Sequence, residues 1–486
     1  MMMAAVGPMF MLMLMLSSGG SRSHDLVSIV DADDYFKAHS IEVTADNLVQ
    51  VAGKEPGDAK SQVAQLLALR WLGEHADQAK KVKNARTTVQ GIAEGTTAQD
   101  PLGFAKGYAA ATLARLDGKP APKPAAIPAN SVGAEALKWF PDSATIFGSY
   151  DLRASGELAP VDESSLRSLL VKMLRGRDKE EFYKFVDGAG NMRADRVSFG
   201  YAADPQDHRK NRIYVRVTGL ADRKAVTDLI KKSLRGAKVE YRKGPKGHLM
   251  TIISPEKGDA AFALLGNTDM LICGHESDPE NSLEVLEEAL DVRAGNKPSI
   301  LKGPHAAKLK KVPADAVGVL MGDVPEELRR DMVRGPGSPF KAVPKSVAVV
   351  MTRAKSIKID WHGSMADADD AKSFAENVAE LKKKGLDELK QLPPQLKIKP
   401  EQIKVLTQML ESIKVEAKDD KVTGGLEITP KMVKVVNDLV QKSMMGWFMM
   451  EERSAPPAPA PPTPAPAPPK VEEDKPVEDK AEKKDK

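Results

Sequence analysis

Val197-Ser198-Phe199-Gly200-Tyr201 and Ile213-Tyr214-Val215-Arg216-Val217 decide the fold. In both stretches every second residue is large and apolar, the period of a strand that turns one face to a core. The segment from Asp204 to Asn211 between them has a turn composition, so the pair reads as a hairpin. A helix follows, with Asp222 as N-cap and Val226, Leu229, Ile230 and Leu234 on its buried face. Further strands are expected near 237–242, 248–254, 259–265 and 269–274, separated by Gly-Pro-Lys-Gly, Pro-Glu-Lys-Gly and Gly-Asn-Thr-Asp turns. A helix capped by Asp278, with Pro279 in its first turn and Leu283, Leu286 and Leu290 inward, closes the unit.

The same order then recurs. Leu137-Lys138-Trp139-Phe140-Pro141 precedes the first strand of one unit, and Leu309-Lys310-Lys311-Val312-Pro313 precedes the strand from Ala316 to Met321. Val347, Val349 and Met351 with Ile357, Ile359 and Trp361 form a second hairpin. Leu220-Ala221-Asp222 is echoed by Met365-Ala366-Asp367, which opens a helix expected to turn Phe374, Val378 and Leu381 inward. An added helix lies near 401–412, and Ile413–Ala417 pairs with Val422–Ile428. The last helix has Thr429 as cap and carries Met432, Val435, Val436, Leu439 and Val440 on one face. The expected fold is α+β, a duplicated unit over 137–303 and 304–450 with antiparallel sheets backed by helices on one face.

Residues 25–118 have helical periodicity instead. Val63, Leu66, Leu67, Leu69 and Leu72 fall at 3.6-residue spacing, and Leu69 and Leu72 superimpose on Leu113 and Leu116 after a shift of 44 positions. That period, with the Ala-rich helix ending in Leu113-Ala114-Arg115-Leu116-Asp117-Gly118, resembles a HEAT-type helical repeat over about residues 46–118. Fewer than two repeats are present and solenoids need three or more, so a plain helical bundle is the alternative. A proline-spaced Pro/Ala linker over 119–136 joins this region to the α+β body.

The two ends speak about location. Met9 to Leu16 is wholly apolar and Ser17 to Ser21 is small, the pattern of a signal peptide over 1–23 and too short to span a bilayer. At the other end, Ala455 to Pro469 holds nine of the chain's 34 prolines, and Lys470 to Lys486 is nearly all charge. Residues 451–486 read as an extended Ala-Pro spacer and a disordered tail.

Composition removes several function classes. Lys and Arg number 72 against 68 Asp and Glu, with 5% aromatics, and no basic face interleaves with rings, which argues against nucleic acid. The single cysteine, Cys273, excludes an intramolecular disulfide; it ends the apolar run Met270-Leu271-Ile272 and reads as a buried thiol rather than a nucleophile paired with His275. Ser338-Pro339-Phe340-Lys341 has the Ser-x-x-Lys spacing of penicillin-binding enzymes. That geometry needs the first turn of a helix, whereas Arg334-Gly335-Pro336-Gly337 before it is loop-like, and the companion motifs are missing. Gly188-Ala189-Gly190 follows a helix and lacks the third glycine of a dinucleotide loop. The eight histidines show no ligand spacing, and Asp360 with His362, or Cys273 with His275, supply two ligands where a metal needs three or four. Asp367, Asp369 and Asp370 fit a helix N-terminus better than calcium. No cofactor and no metal are expected.

Met444-Met445-Gly446-Trp447-Phe448-Met449-Met450 is the candidate contact for a partner or a membrane surface, with a cap on the core as the plainer reading. Glu451-Glu452 after it disfavours the membrane. The expected protein is an exported, non-enzymatic binding or structural component of the cell envelope or extracytoplasmic space, its partner a protein or envelope component. The alternatives are a carrier of an apolar ligand or lipid and a serine hydrolase using Ser338 and Lys341.

Overall fold

Both hairpins lie in one sheet. The computed structural model describes residues 27, 30–95, 104–120, 122, 129–154, 176–189, 194–204, 206–207, 210–219, 226–227, 230, 238–243, 249–254, 260–266, 269–275, 281–334, 340–353, 355–391 and 398–436. Its strands are β1 (Ile146–Asp151), β2 (Arg196–Ala202), β3 (Arg212–Thr218), β4 (Lys238–Lys243), β5 (Leu249–Ser254), β6 (Ala261–Leu265), β7 (Asp269–His275), β8 (Ala316–Asp323), β9 (Ser346–Arg353), β10 (Ile357–Ser364), β11 (Lys414–Lys418) and β12 (Lys421–Ile428). They form one twelve-stranded sheet in the order β11-β12-β10-β9-β8-β1-β2-β3-β7-β6-β5-β4.

The seam is the antiparallel pair β1–β8, with Gly148 opposite Leu320 and Ser149 opposite Val319. Outward from it the halves begin alike, β1-β2-β3-β7 on one side and β8-β9-β10-β12 on the other. In each, the central strand leads to a hairpin (β2–β3, β9–β10), and a strand from later in the chain then pairs with the hairpin.

The helical region comprises α1 (Ala32–Ala38), α2 (Ala45–Gly53), α3 (Ala59–Glu74), α4 (Ala76–Ala79), α5 (Ala85–Glu94) and α6 (Phe104–Leu116). Helix α2 packs on α3 and α5 on α6, and the two pairs lie side by side through α2–α5 and α3–α6. Helix α3 starts in a capping box: Asp58 accepts from the Ser61 backbone N–H at 2.7 Å while the Ser61 hydroxyl accepts from the Asp58 N–H. It is apolar nearly all round, as a helix at the centre of a bundle must be, and Leu66, Leu67, Leu69 and Leu72 are fully buried. Gly73 lets α6 approach, since a Cβ there would stand 2.9 Å from the Thr112 hydroxyl, whose proton goes to Leu69 O at 2.6 Å. Arg70 ties down the preceding chain by donating to Val27 O and Val30 O, each at 2.6 Å.

The linker expected over 119–136 stops being a spacer at its C-terminal end. Asn130 N–H donates to Ala314 O, and Val132 and Ala136 are fully buried, because this segment with α7 (Ala134–Leu137) covers the sheet. On the same sheet face, Phe147, Tyr214, Leu271, Cys273, Ala261 and Ala263 share a core with Leu286, Ala289 and Leu290 of α9 (Ser282–Ala294). The opposite face, with Val215, Val217, Ile272, Met270 and Phe262, joins the core of the helical region and of α8 (Gly176–Ala189). The first half of the sheet is therefore backed by helices on both faces rather than on the one expected, because the helical region packs on the second face. Helix α9 begins with Asn281 at its N-cap position, later than the expected Asp278, and 276–280 lie outside the described residues. Of the helix expected from Asp222, Val226 and Ile230 are buried against the helical region, while Asp222, Leu229 and Leu234 lie outside the described residues.

The second half has less over it. Its helices are α10 (Ala306–Leu309), α11 (Glu326–Arg334), α12 (Ala368–Lys390), α13 (Pro400–Glu411) and a helix over 430–436 entered at Thr429. Helix α12 is capped by Asp367, which accepts from Asp370 N–H at 2.8 Å. Phe374 stacks on Phe340 at 5.3 Å and meets Trp361 edge-on at 5.8 Å. Trp361 in turn lies over Gly424 on the neighbouring strand, where a Cβ would come within 2.2 Å of the indole. Leu381, expected inward, is 39% exposed. Among the described residues helix α12 packs chiefly on the edge strands β11 and β12 and on α13, and at the level of Leu381 its neighbour Lys382 is tied to Glu411 O and Ile413 O.

Candidate functional site

Strand alternation splits the second half into two chemically different faces. Trp361, Val422, Leu426 and Ile428 point toward α12, α13 and the helix over 430–436. Across the opposite face, one row of paired residues reads Thr423, His362, Ala348, Met321 from β12 to β8. At about 4.8 Å per strand the row spans roughly 14 Å and passes from polar to apolar. The row along the strand ends reads Lys421, Ser364, Ser346, Asp323.

These residues form a groove of about 370 Å³, within the size range of small-molecule sites. Val350, Ala348 and Met321 make its floor. Its wall on the β8 side comes from α10 and the turn after it, with Lys308, Lys311 and Val312, held in place because Leu309 and Val312 join the core of Val319 and Met321. Lys421 and Thr423 close the other side. No carboxylate lines the groove, and Lys308, Lys311 and Lys421 are exposed and have no ion pair among the described residues. Of the acids in register, Asp360 is held by Lys358 at 3.0 Å, Glu416 stands beyond Thr423 on the edge strand between Lys414 and Lys418, and Asp323, opposite Ser346 at the end of β8, lies 3.3 Å from the His305 ring.

A second polar cluster lies under α7. Both Arg216 and Arg293 lie over the Trp139 ring, at 3.9 and 4.7 Å from its centre, and Arg216 pairs with Asp269 at 3.0 Å. Arg216 also points at Glu135 O and Ala136 O, and Arg196 donates to Ser131 O. Burial lowers all three guanidinium pKa values. Arg196 and Arg216 direct donors to the backbone of 131–136 and Arg216 and Arg293 hold the Trp139 ring, so the cluster clamps that segment to the sheet. A third feature is the middle of the sheet on the helical-region side, where Phe199 is 38% exposed and Leu320, Val349 and Met351 are half-buried.

The residues singled out in the sequence are not brought together. Cys273 is fully buried beside Tyr214, and burial pushes its thiol pKa well up, against any role as a thiolate. Lys341 is exposed, while Ser338 lies outside the described residues. So do Gly190 and the stretch Met444, Met445, Trp447, Phe448, Met449 and Met450. Asp367 caps a helix. Among the described residues no three His, Cys, Asp or Glu side chains converge as a metal site, and no helix is long and apolar enough to cross a membrane. The groove lysines were missed. The signal was Lys308, Lys310 and Lys311 within four residues, and two alternating strands with His362 and Thr423 on their polar faces.

No family model matches the chain, and no curated protein matches it. Among solved structures, crystal form III of TP0453 aligns with 63% of this chain and 97% of its own, at 13% identity and a TM-score of 0.34. Crystal form I of TP0453 aligns with 62% and 96%, at 10% identity and a TM-score of 0.33. The chain is thus similar, at a distance, to TP0453 over nearly the whole length of that protein.

Proposed function

We propose that the chain is an exported, non-enzymatic binding protein of the extracytoplasmic space or cell envelope, and that it binds a small ligand in the groove over β8, β9, β10 and β12. One observation carries the binding reading: cations with no ion pair among the described residues border an apolar floor that is open to solvent. Charged side chains without partners around a concave apolar surface are the usual form of a recognition site. The groove is open and modest in size, so it suits part of a ligand better than a carrier's enclosed cargo. Export is motivated by the apolar run Met9–Leu16 and the small residues after it.

Two measurements test this. Protein isolated from its own cells is extracted with organic solvent and the extract analysed by mass spectrometry, beside the variant Ala348→Trp, which fills the floor. A small molecule should accompany the natural protein and be absent from the variant; identical extracts would remove the groove as the site. The intact mass should correspond to cleavage between Ser17 and His24, and a chain retaining Met1 or Met2 would defeat export.

A further inference from the structure

We infer that the groove recognises a single-chain amphiphile with an anionic head, a carboxylate or a phosphate, laid across the strands with its tail on the apolar floor. The inference rests on the groove being the binding site and adds the class of its ligand. Three features select it. The Thr423-His362-Ala348-Met321 row changes from hydrogen-bonding to apolar within one groove, so a ligand following it must itself have a polar end and an apolar end. The polar end is provided with a cation and hydroxyls, Lys421 with Ser364 and Thr423, and with no carboxylate lining it. Lys308 and Lys311 on the far wall raise the positive potential along the whole path, and their stems can lie along a hydrocarbon chain while the ammonium groups stay in water.

Other ligand classes fit less well. A sugar would leave Met321, Ala348 and Val350 facing hydroxyls, and a cation would meet three lysines. A free inorganic anion would use the head end and leave the floor unoccupied. A neutral amphiphile would satisfy the floor and none of the lysines.

The test is calorimetric titration of the full chain at low salt, each probe kept below its micelle concentration. The probes are dodecanoate, dodecyl phosphate, dodecyl maltoside and inorganic phosphate. Dodecanoate or dodecyl phosphate should bind, the pair showing which head is preferred, and dodecyl maltoside and inorganic phosphate should bind at least about tenfold more weakly. Lys421→Glu should weaken the anionic probe about tenfold, the loss expected for one charge-assisted contact, and Lys308→Glu combined with Lys311→Glu should weaken it by a smaller factor, through the potential along the path. Raising the salt should weaken binding in the same direction. All three lysines are exposed, so the variants should fold, and an unchanged thermal midpoint checks this.

If dodecyl maltoside binds as tightly and charge reversal does nothing, the anionic head is refuted while the groove stands. If inorganic phosphate equals dodecyl phosphate, the amphiphile is refuted. If no amphiphile binds, the ligand class falls, and the extraction experiment with Ala348→Trp still decides whether the groove is a site.

Discussion

The two halves of the sheet share their first strand order and differ in what lies on them. In the first half, all of β6 and the middle of β7 are buried, because α9 covers one face and the helical region the other. In the second half every residue of β9 is only half-buried, and the helices over β10, β11 and β12 lie on one face. The strand sequences follow the cover. Ala261-Phe262-Ala263-Leu264-Leu265 is a continuous apolar run, whereas Ile357-Lys358-Ile359-Asp360-Trp361-His362 alternates. Apolar residues on both faces of a strand demand two layers, and alternation permits one. The difference teaches that similar pairing can be anchored in one half and left accessible in the other, and the groove lies in the accessible half.

The largest test of this contrast is a pair of truncations. Leu271→Ala in β7 should cost about 2–5 kcal/mol, since the side chain is fully buried and its neighbours cannot collapse onto the space. Val349→Ala in β9, half-buried, should cost about 1 kcal/mol. Denaturant titration of both reads the difference directly, and equal costs would break the comparison.

Ion pairs should differ in the same sense. Arg216→Met leaves Asp269 without its guanidinium beneath α7 and should lower stability by about 2–3 kcal/mol. Lys358→Met breaks an exposed pair with Asp360 and should change it by less than about 1 kcal/mol. Thermal melts at matched pH would show the ranking.

Hydrogen exchange extends the contrast to local opening. Amides of β6 should exchange only with global unfolding, and those of β9 measurably faster. Protection that is equal in the two strands would mean that the second half is anchored by contacts other than those seen.

The helix caps should be alike on the two sides. Asp58→Ala and Asp367→Ala should each cost about 1 kcal/mol. Hydrogen bonds from the Ser61 hydroxyl, then from its backbone N–H, hold the Asp58 carboxyl below the usual carboxylate range. A depressed pKa means that the cap contributes fully above the unfolded value of about 3.9 and is lost as pH falls through the lower folded value. Asp58→Asn should keep the cap and flatten that part of the acid melt.

Much of the fold was legible because its signals are local. Period-two alternation and turn chemistry placed the hairpins β2–β3 and β9–β10, and 3.6-residue spacing placed α3 and α12. The joining of the sheets was not legible, because β1 and β8 pair across more than 160 intervening residues and neither strand carries a mark of its partner. Leu381 failed because spacing shows which face is apolar without showing how far a neighbour extends. The groove was invisible for a related reason: its parts come from α10 with the turn after it and from four strands, each unremarkable alone.

An open sheet of twelve strands leaves two rims, and both begin alike: Lys238-Val239-Glu240 in β4 and Lys414-Val415-Glu416 in β11. Along β4 the outermost charges include Glu240 and Arg242, paired at 2.6 Å and in contact with water. A second molecule trying to continue the ladder at either rim would have to strip hydration from alternating charges before gaining a backbone bond. Ionised side chains at each rim thus act against growth of the sheet from one molecule to the next.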